Sequence, residues 1–221
     1  MSWMILPSGA EYHLYGPAAI PDAGRPVNIA DVAHQLAIIN RWHGATKRPI
    51  SVAEHSLLCS EIAQRAGASL TVQMVALWHD AHETVTNDVS SPAKEAVNYR
   101  SIAAGGTQAW SVFETEHAKR FRAALGLSTA FAAHRAVLRE IDLMALATER
   151  RDLTAWEHGR HLGWSVLGDD GDQAHRVPAV EWIRLDTPER EAMTWRDWRQ
   201  AFVDRHDELR FALDLQRGVT A

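Results

Sequence analysis

Cysteine is almost missing from this chain of 221 residues, since Cys59 is the only one. An intramolecular disulfide is impossible, and a cysteine-rich zinc site or a lone catalytic thiol has no evident partners. Cys59 reads as a small buried hydrophobe. Long apolar runs are missing too, and nothing approaches the ~20 residues needed to cross a bilayer. The opening MSWMILPSGAEYHL has Pro, Gly and Glu where a secretory leader needs an unbroken apolar stretch, so the expected location is the cytoplasm. Positive charge is scarce: 23 Lys and Arg against 28 Asp and Glu give a formal net charge of -5. That balance argues against a broad nucleic-acid-binding face, which neutralises many phosphates with Lys and Arg. Small anions met by local positive charge remain open.

Hydrophobic residues make up 46% of the chain, enough for the core of one domain with extensions. Nine Trp are many for this length; eight read as packing, and Trp42 alone has a suggestive neighbourhood. Met4-Ile5-Leu6 and Tyr12-His13-Leu14-Tyr15 flank Pro7-Ser8-Gly9, which reads as a short hairpin or arm within residues 1–27. Asn28 can cap a helix carrying Ile29, Val32, Ala33, Leu36 and Ile39 at helical spacing through Trp42. Ser51 and Glu54 form a capping-box pattern, predicting a helix from about Val52 to Ala66. Ser69 can cap another from about Leu70 to Thr84, and Ser91-Pro92 opens a short one. Long helices are predicted around Thr107–Leu125 and Ala130–Asp152. Residues 154–187 read as a loop-rich excursion, and Thr187-Pro188-Glu189 opens a last helix reaching about Leu213. The expected architecture is an all-α bundle: an arm over 1–27, a core over 28–153, and an excursion with a C-terminal helix over 154–221, together one domain.

Three of these helices carry ionisable residues on apolar stripes. His55 shares a face with Val52, Leu58, Cys59 and Ile62; His79 lies with Val72, Val75 and Ala76, with Asp80 about 100° round the same turn; Asp142 has Leu138, Ala145 and Leu146 at the same spacings. A single His on such a stripe is more often a hydrogen-bonded core residue than a ligand. Two inward carboxylates are harder to accommodate, because an isolated buried carboxylate is costly without a cation or a hydrogen-bond network. One divalent cation would compensate both, and two imidazoles with two carboxylates make a mixed nitrogen and oxygen shell. A structural salt-bridge cluster is the competing reading of the spacing.

His55, the His79-Asp80 doublet and the distant Asp142 resemble the H...HD...D signature of the HD-domain superfamily of metal-dependent phosphohydrolases. The stretches Ile38-Ile-Asn-Arg-Trp42, Ser51-Val-Ala-Glu-His-Ser56, Ala76-Leu-Trp-His-Asp-Ala-His-Glu83 and Asn87-Asp-Val-Ser-Ser-Pro-Ala-Lys94 extend the likeness to bacterial 5′-deoxynucleotidases and phage-associated HD hydrolases. The likeness covers roughly residues 28 to 153. It implies an HD-domain helical core and one divalent metal held by His55, His79, Asp80 and Asp142, with Mn, Co, Fe, Ni or Zn as candidates. Glu83 would exchange a proton with water or the leaving oxygen, and Asp88 would help hold the nucleophile or substrate. Arg41 and Trp42 resemble a pair that binds phosphate and base or sugar, and Lys94 would add positive charge. Read without the likeness, Glu83 is a solvated helix-end residue, Asp88 a turn residue, Arg41 a helix-end cation beside a core Trp, and Lys94 a surface decoration.

The implied activity is phosphate release from a deoxynucleoside monophosphate, with a small phosphorylated substrate as partner, no nucleic-acid polymer or membrane, and a possible homodimer. A deoxynucleoside triphosphate triphosphohydrolase is the enzymatic alternative, and a non-catalytic nucleotide-binding HD module or a metal-free helical interaction protein the non-enzymatic ones. His82 departs from the family pattern, where a small residue often precedes the Glu; it can tune the site or hold a second metal. His34, His117 and His134 match the two-metal motifs poorly.

Overall fold

In a computed structural model, residues 2–16, 27–171 and 176–218 are described. Residues 17–26 of the expected arm and 172–175 of the expected excursion lie outside them. The described chain is mostly helical, with one short N-terminal hairpin. Strands β1 (Trp3–Ile5) and β2 (Glu11–His13) pair antiparallel, Met4 opposite Tyr12. Gly9 takes a positive φ in the turn between them, which a side chain would strain. The turn docks on the first helix: the Ser8 amide and hydroxyl both donate to the Asp31 carboxylate, at 2.8 and 2.6 Å.

Side-chain caps begin several of the predicted helices. The Asn28 side chain accepts amides of Ala30 and Asp31 to start α1 (Ile29–Ile38), and Ser51 accepts the Glu54 amide to start α2 (Val52–Arg65). Ser69 does the same for α3 (Leu70–Trp78) and Thr187 for α9 (Pro188–Ala192). The capping box at Ser51 is half formed. Glu54 turns its carboxylate to Arg48 and Arg190 instead, at 2.6 to 2.9 Å, in a buried three-membered ion cluster.

Elsewhere continuous predicted helices are broken. The first stops at Ile38 rather than Trp42, because Asn40 bridges Ser51 and the Arg41 amide bonds the Ile50 carbonyl at 2.9 Å. The helix expected through Thr84 ends at Trp78; residues 79–82 form a tight turn before α4 (Glu83–Thr86), with Ala81 and Glu83 amides reaching carbonyls three residues back. α5 (Ser91–Ala103) and α6 (Ala109–Ala124) follow. The next predicted helix is split at His134 into α7 (Ser128–Ala133) and α8 (Arg135–Leu153). The last is split too, because Met193 is extended and Thr194 with Asp197 caps a new start at α10 (Trp195–Gln216).

α2 lies against α1, α3, α8 and α10, so it is the central helix. Trp78 of α3 meets Phe202 of α10 edge-on and donates to His206 at 3.0 Å. Among its described residues the expected excursion has a short 3-10 turn and an isolated bridge between His158 and His161, yet it is fastened to α8: the Val180 amide donates to Thr148, the Leu185 amide to Asp152, and Leu167 and Leu185 are buried.

The hairpin reaches α6 through Tyr12, whose hydroxyl bonds His117 Nδ1 at 2.9 Å. His117 is fully buried, and its Nε2 has no partner among the described residues. Burial and the nearby Arg120 charge push this imidazole down from 6.5 to about 4. A depressed histidine is protonated in the unfolded chain before it is protonated in the folded one. Stability is therefore complete above about 6.5 and falls as the pH drops toward about 4. The expected loss between pH 7 and pH 5 is on the order of 1–2 kcal/mol, read from denaturant titrations, and His117→Phe should flatten that slope.

Candidate metal centre

The fold brings His55, His79, Asp80 and Asp142 to one point. His55 is on the first turn of α2 with no exposed surface, His79 and Asp80 are in the tight turn after α3, and Asp142 is on α8. The two imidazole Nε2 atoms are 3.2 Å apart. Asp142 Oδ1 lies 3.2 Å from His55 Nε2 and 3.8 Å from His79 Nε2; Asp80 Oδ2 lies 3.6 and 3.0 Å from the same two atoms.

The outer nitrogens fix the protons. His79 Nδ1 is 2.8 Å from the Ala76 carbonyl, which can only accept, so that nitrogen donates. His55 Nδ1 donates likewise to the Glu149 carboxylate at 2.5 Å. In neutral imidazoles this leaves two Nε2 lone pairs facing each other, with carboxylate oxygens on the same point. A cation between them satisfies all four. Ligands about 2.1 Å from a common ion stand about 3.0 Å apart in octahedral and about 3.4 Å apart in tetrahedral geometry. The observed 3.0 to 3.8 Å therefore suits a metal shell, with two carboxylates balancing a divalent charge.

The electrostatics point the same way. Burial and Arg41 oppose charge on His55, but Cys59, Glu149 and Asp142 together hold it well above the ordinary imidazole range. Burial likewise opposes a charged His79, and Asp80 and Asp142 raise it. Asp142 and Asp80 are held low, against their burial, by the two histidines. A cavity that favours positive charge this strongly on its own side chains suits a cation.

Cys59, one turn beyond His55, joins the cluster: donor atoms of His55, Cys59, His79 and Asp142 all lie within 4.8 Å of one another, and this buried group can hold a metal ion. Glu149 is a further participant that the sequence reading missed. It is fully buried, and besides His55 it accepts from Arg41 Nε at 3.1 Å and Trp42 Nε1 at 2.7 Å. Arg41 and His55 overcome its burial and bring its carboxyl down to about 2. The available signal was its position seven residues after Asp142, two turns along the same helix face. Glu149→Gln keeps the shape and removes the charge behind His55, and is expected to weaken metal binding about 10–100-fold in a competition titration with a chromogenic chelator.

The polar atoms of Arg41 and Trp42 are turned toward Glu149, with Arg41 Nη1 3.8 Å from Asp80 and the Trp42 ring stacked on Trp164 at 5.3 Å between centroids. Trp42 and His43 both adopt positive φ, a strained pair beside the cluster. Glu83 opens α4 and is buried, and its Oε2 has no partner among the described residues. Burial, Asp80 and Asp88 push its carboxyl well up, against Arg41 and Lys94. Asp88 is partly buried and is raised by burial and Asp80, against Arg41, His55 and Lys94. Lys94 pairs with Glu114, whose Oε1 is also 3.5 Å from His82 Nε2. Burial favours the neutral form of Glu114, but His82 and Lys94 bring it to about 2. His82 also offers a donor atom within 4.8 Å of those of Asp80 and Glu83. His34 packs edge-on against Trp195, His117 bonds Tyr12, and His134 separates α7 from α8; among the described residues none of the three belongs to a metal-capable group.

No family model matches this chain. Two curated relatives do. Over 100 residues the chain is 38% identical to an uncharacterized protein of Rhodobacter capsulatus, across 43% of this chain and 48% of that one. Over 126 residues it is 31% identical to the uncharacterized protein YfdR of Escherichia coli, across 57% and 60%. The matches thus span about half to three fifths of the relatives' lengths. No helix among the described residues is long and apolar enough to cross a membrane.

Proposed function

We propose that this chain is a metal-dependent phosphohydrolase of the HD-domain superfamily, and that it releases phosphate from a deoxynucleoside 5′-monophosphate. The observation that carries the reading is the convergence of two imidazole Nε2 atoms and two carboxylates, each imidazole held from behind at Nδ1 by an acceptor. A divalent cation bound there supplies a water of lowered pKa and neutralises charge on the phosphoryl oxygens.

The remaining work belongs to side chains around it. Glu83, buried and with one oxygen unpartnered among the described residues, is suited to hold a proton at Oε2 and pass it to the leaving 5′-oxygen as the P–O bond breaks. Water oxygen bonds to phosphorus in that step, so nucleoside and inorganic phosphate leave. Asp88 orients the incoming water. Arg41 keeps its charge, because Glu149, Asp88, Asp80 and Glu83 outweigh its burial, and with Lys94 it offsets the carboxylates that would otherwise repel a phosphate. Trp42 and Trp164 give an aromatic wall beside the centre for a base or sugar.

The test is a screen of deoxy- and ribonucleoside mono- and triphosphates with metal-stripped protein and each of Mn, Co, Fe, Ni and Zn, with products resolved by chromatography. Phosphate from deoxynucleoside monophosphates is the expected product. Triphosphate from deoxynucleoside triphosphates would replace the substrate assignment, and no product with any metal would overturn the hydrolase reading.

A further inference from the structure

Cys59 has surroundings that a packing role does not explain. It is 1% exposed in an apolar cluster with Leu58, Ile62, Ala76 and Ala145, yet its Sγ is directed at His55 Nε2 from 3.6 Å. A thiol that donated its hydrogen to Nε2 would compete with a cation for the same lone pair. With a cation bound, that hydrogen bond is lost and the sulfur faces the ion. Metal–sulfur bonds of about 2.3 Å and metal–nitrogen bonds of about 2.05 Å place S and N about 3.6 Å apart at a tetrahedral angle. The observed separation suits two ligands of one ion, and His79 and Asp142 offer further donor atoms within 4.8 Å.

We propose that Cys59 binds the metal through Sγ, its thiol proton leaving to solvent as the bond forms, and that this sulfur selects a thiophilic ion such as Zn, Co or Fe over Mn or Mg. The inference rests on the metal-centre reading and narrows it. Soft thiolate favours such ions, whereas a shell of imidazole and carboxylate alone accepts the harder ones more evenly. Because Cys59 is the only cysteine, a thiolate signature has one source.

The experiment is cobalt(II) titration of the metal-stripped full chain, followed by absorption. Visible d–d bands report that the ion is bound; a near-ultraviolet sulfur-to-cobalt charge-transfer band reports the thiolate. The wild-type chain is expected to show both, and Cys59→Ser, which nearly preserves side-chain volume, is expected to keep the visible bands and lose the ultraviolet one. The preference for Zn over Mn should fall at least about tenfold in that variant. Bound cobalt without the charge-transfer band in the wild-type chain would overturn the role of Cys59 and leave the metal centre standing. No stoichiometric cobalt uptake would overturn both.

Discussion

Asp142→Ala is expected to abolish metal binding and phosphate release together. The carboxylate sits 3.2 Å from His55 Nε2 and 3.8 Å from His79 Nε2, and it is one of the two carboxylates that face a divalent ion there. Removing it leaves Asp80 as the carboxylate of the shell and an open side toward solvent, since the Asp142 side chain is 40% exposed. The affinity loss should exceed the about 10–100-fold expected for an outer partner such as Glu149. Partial exposure also means that no packed core group is removed, so the far-ultraviolet circular dichroism should be unchanged. Metal analysis and phosphate release on the same preparation check this. Full metal occupancy in the variant would remove Asp142 from the ligand set.

Glu83→Gln separates proton transfer from metal binding. Glutamine keeps the volume in a site that is 4% exposed, and glutamate itself has a buried oxygen without a partner among the described residues, so little hydrogen bonding is lost. What disappears is the ability to hand over a proton. Metal content should stay at the wild-type level while kcat falls about 10²–10⁴-fold, the range for loss of a positioned acid or base. A variant with unchanged kcat would assign Glu83 to packing, and one that lost its metal would make it a ligand.

The parts of the fold written in local chemistry were readable in advance. Asn28, Ser51, Ser69 and Thr187 each accept a backbone amide where a helix was expected to begin. The breaks were not. Residues 79–82 contain no Gly or Pro, and the turn there tightens without a sequence signal, with His79 directed at α2 and α8 and Asp80 at α2. The restart at Trp195 did have a signal, because Thr194 and Asp197 are spaced as a capping box inside what looked like one continuous helix.

Within the cluster, helical spacing was enough to turn His55 inward and to set His79 and the partly exposed Asp142 beside it. It could not show what fixes them from behind. Glu149 stands before Arg150 and Arg151 near the end of a charged helix, where a solvated ion pair is the ordinary reading, and only the fold sets it between His55, Arg41 and Trp42. Cys59 was expected to be buried and is, but which atom its sulfur faces depends on packing between α2 and α3. Arg41 and Trp42 show the same limit. Their residue types suit a phosphate and a base, whereas their polar atoms point to Glu149.

The most direct measurement follows one preparation through a cycle of metal removal and return. Bound divalent metal and the rate of phosphate release from a deoxynucleoside monophosphate are determined as purified, after chelation, and after one equivalent of metal is restored. About one ion per chain, loss of activity with the ion, and recovery of both on its return are the expected results. Phosphate release that persists undiminished in chelated, metal-free protein would contradict the assignment of His55, His79, Asp80 and Asp142 to a catalytic metal centre.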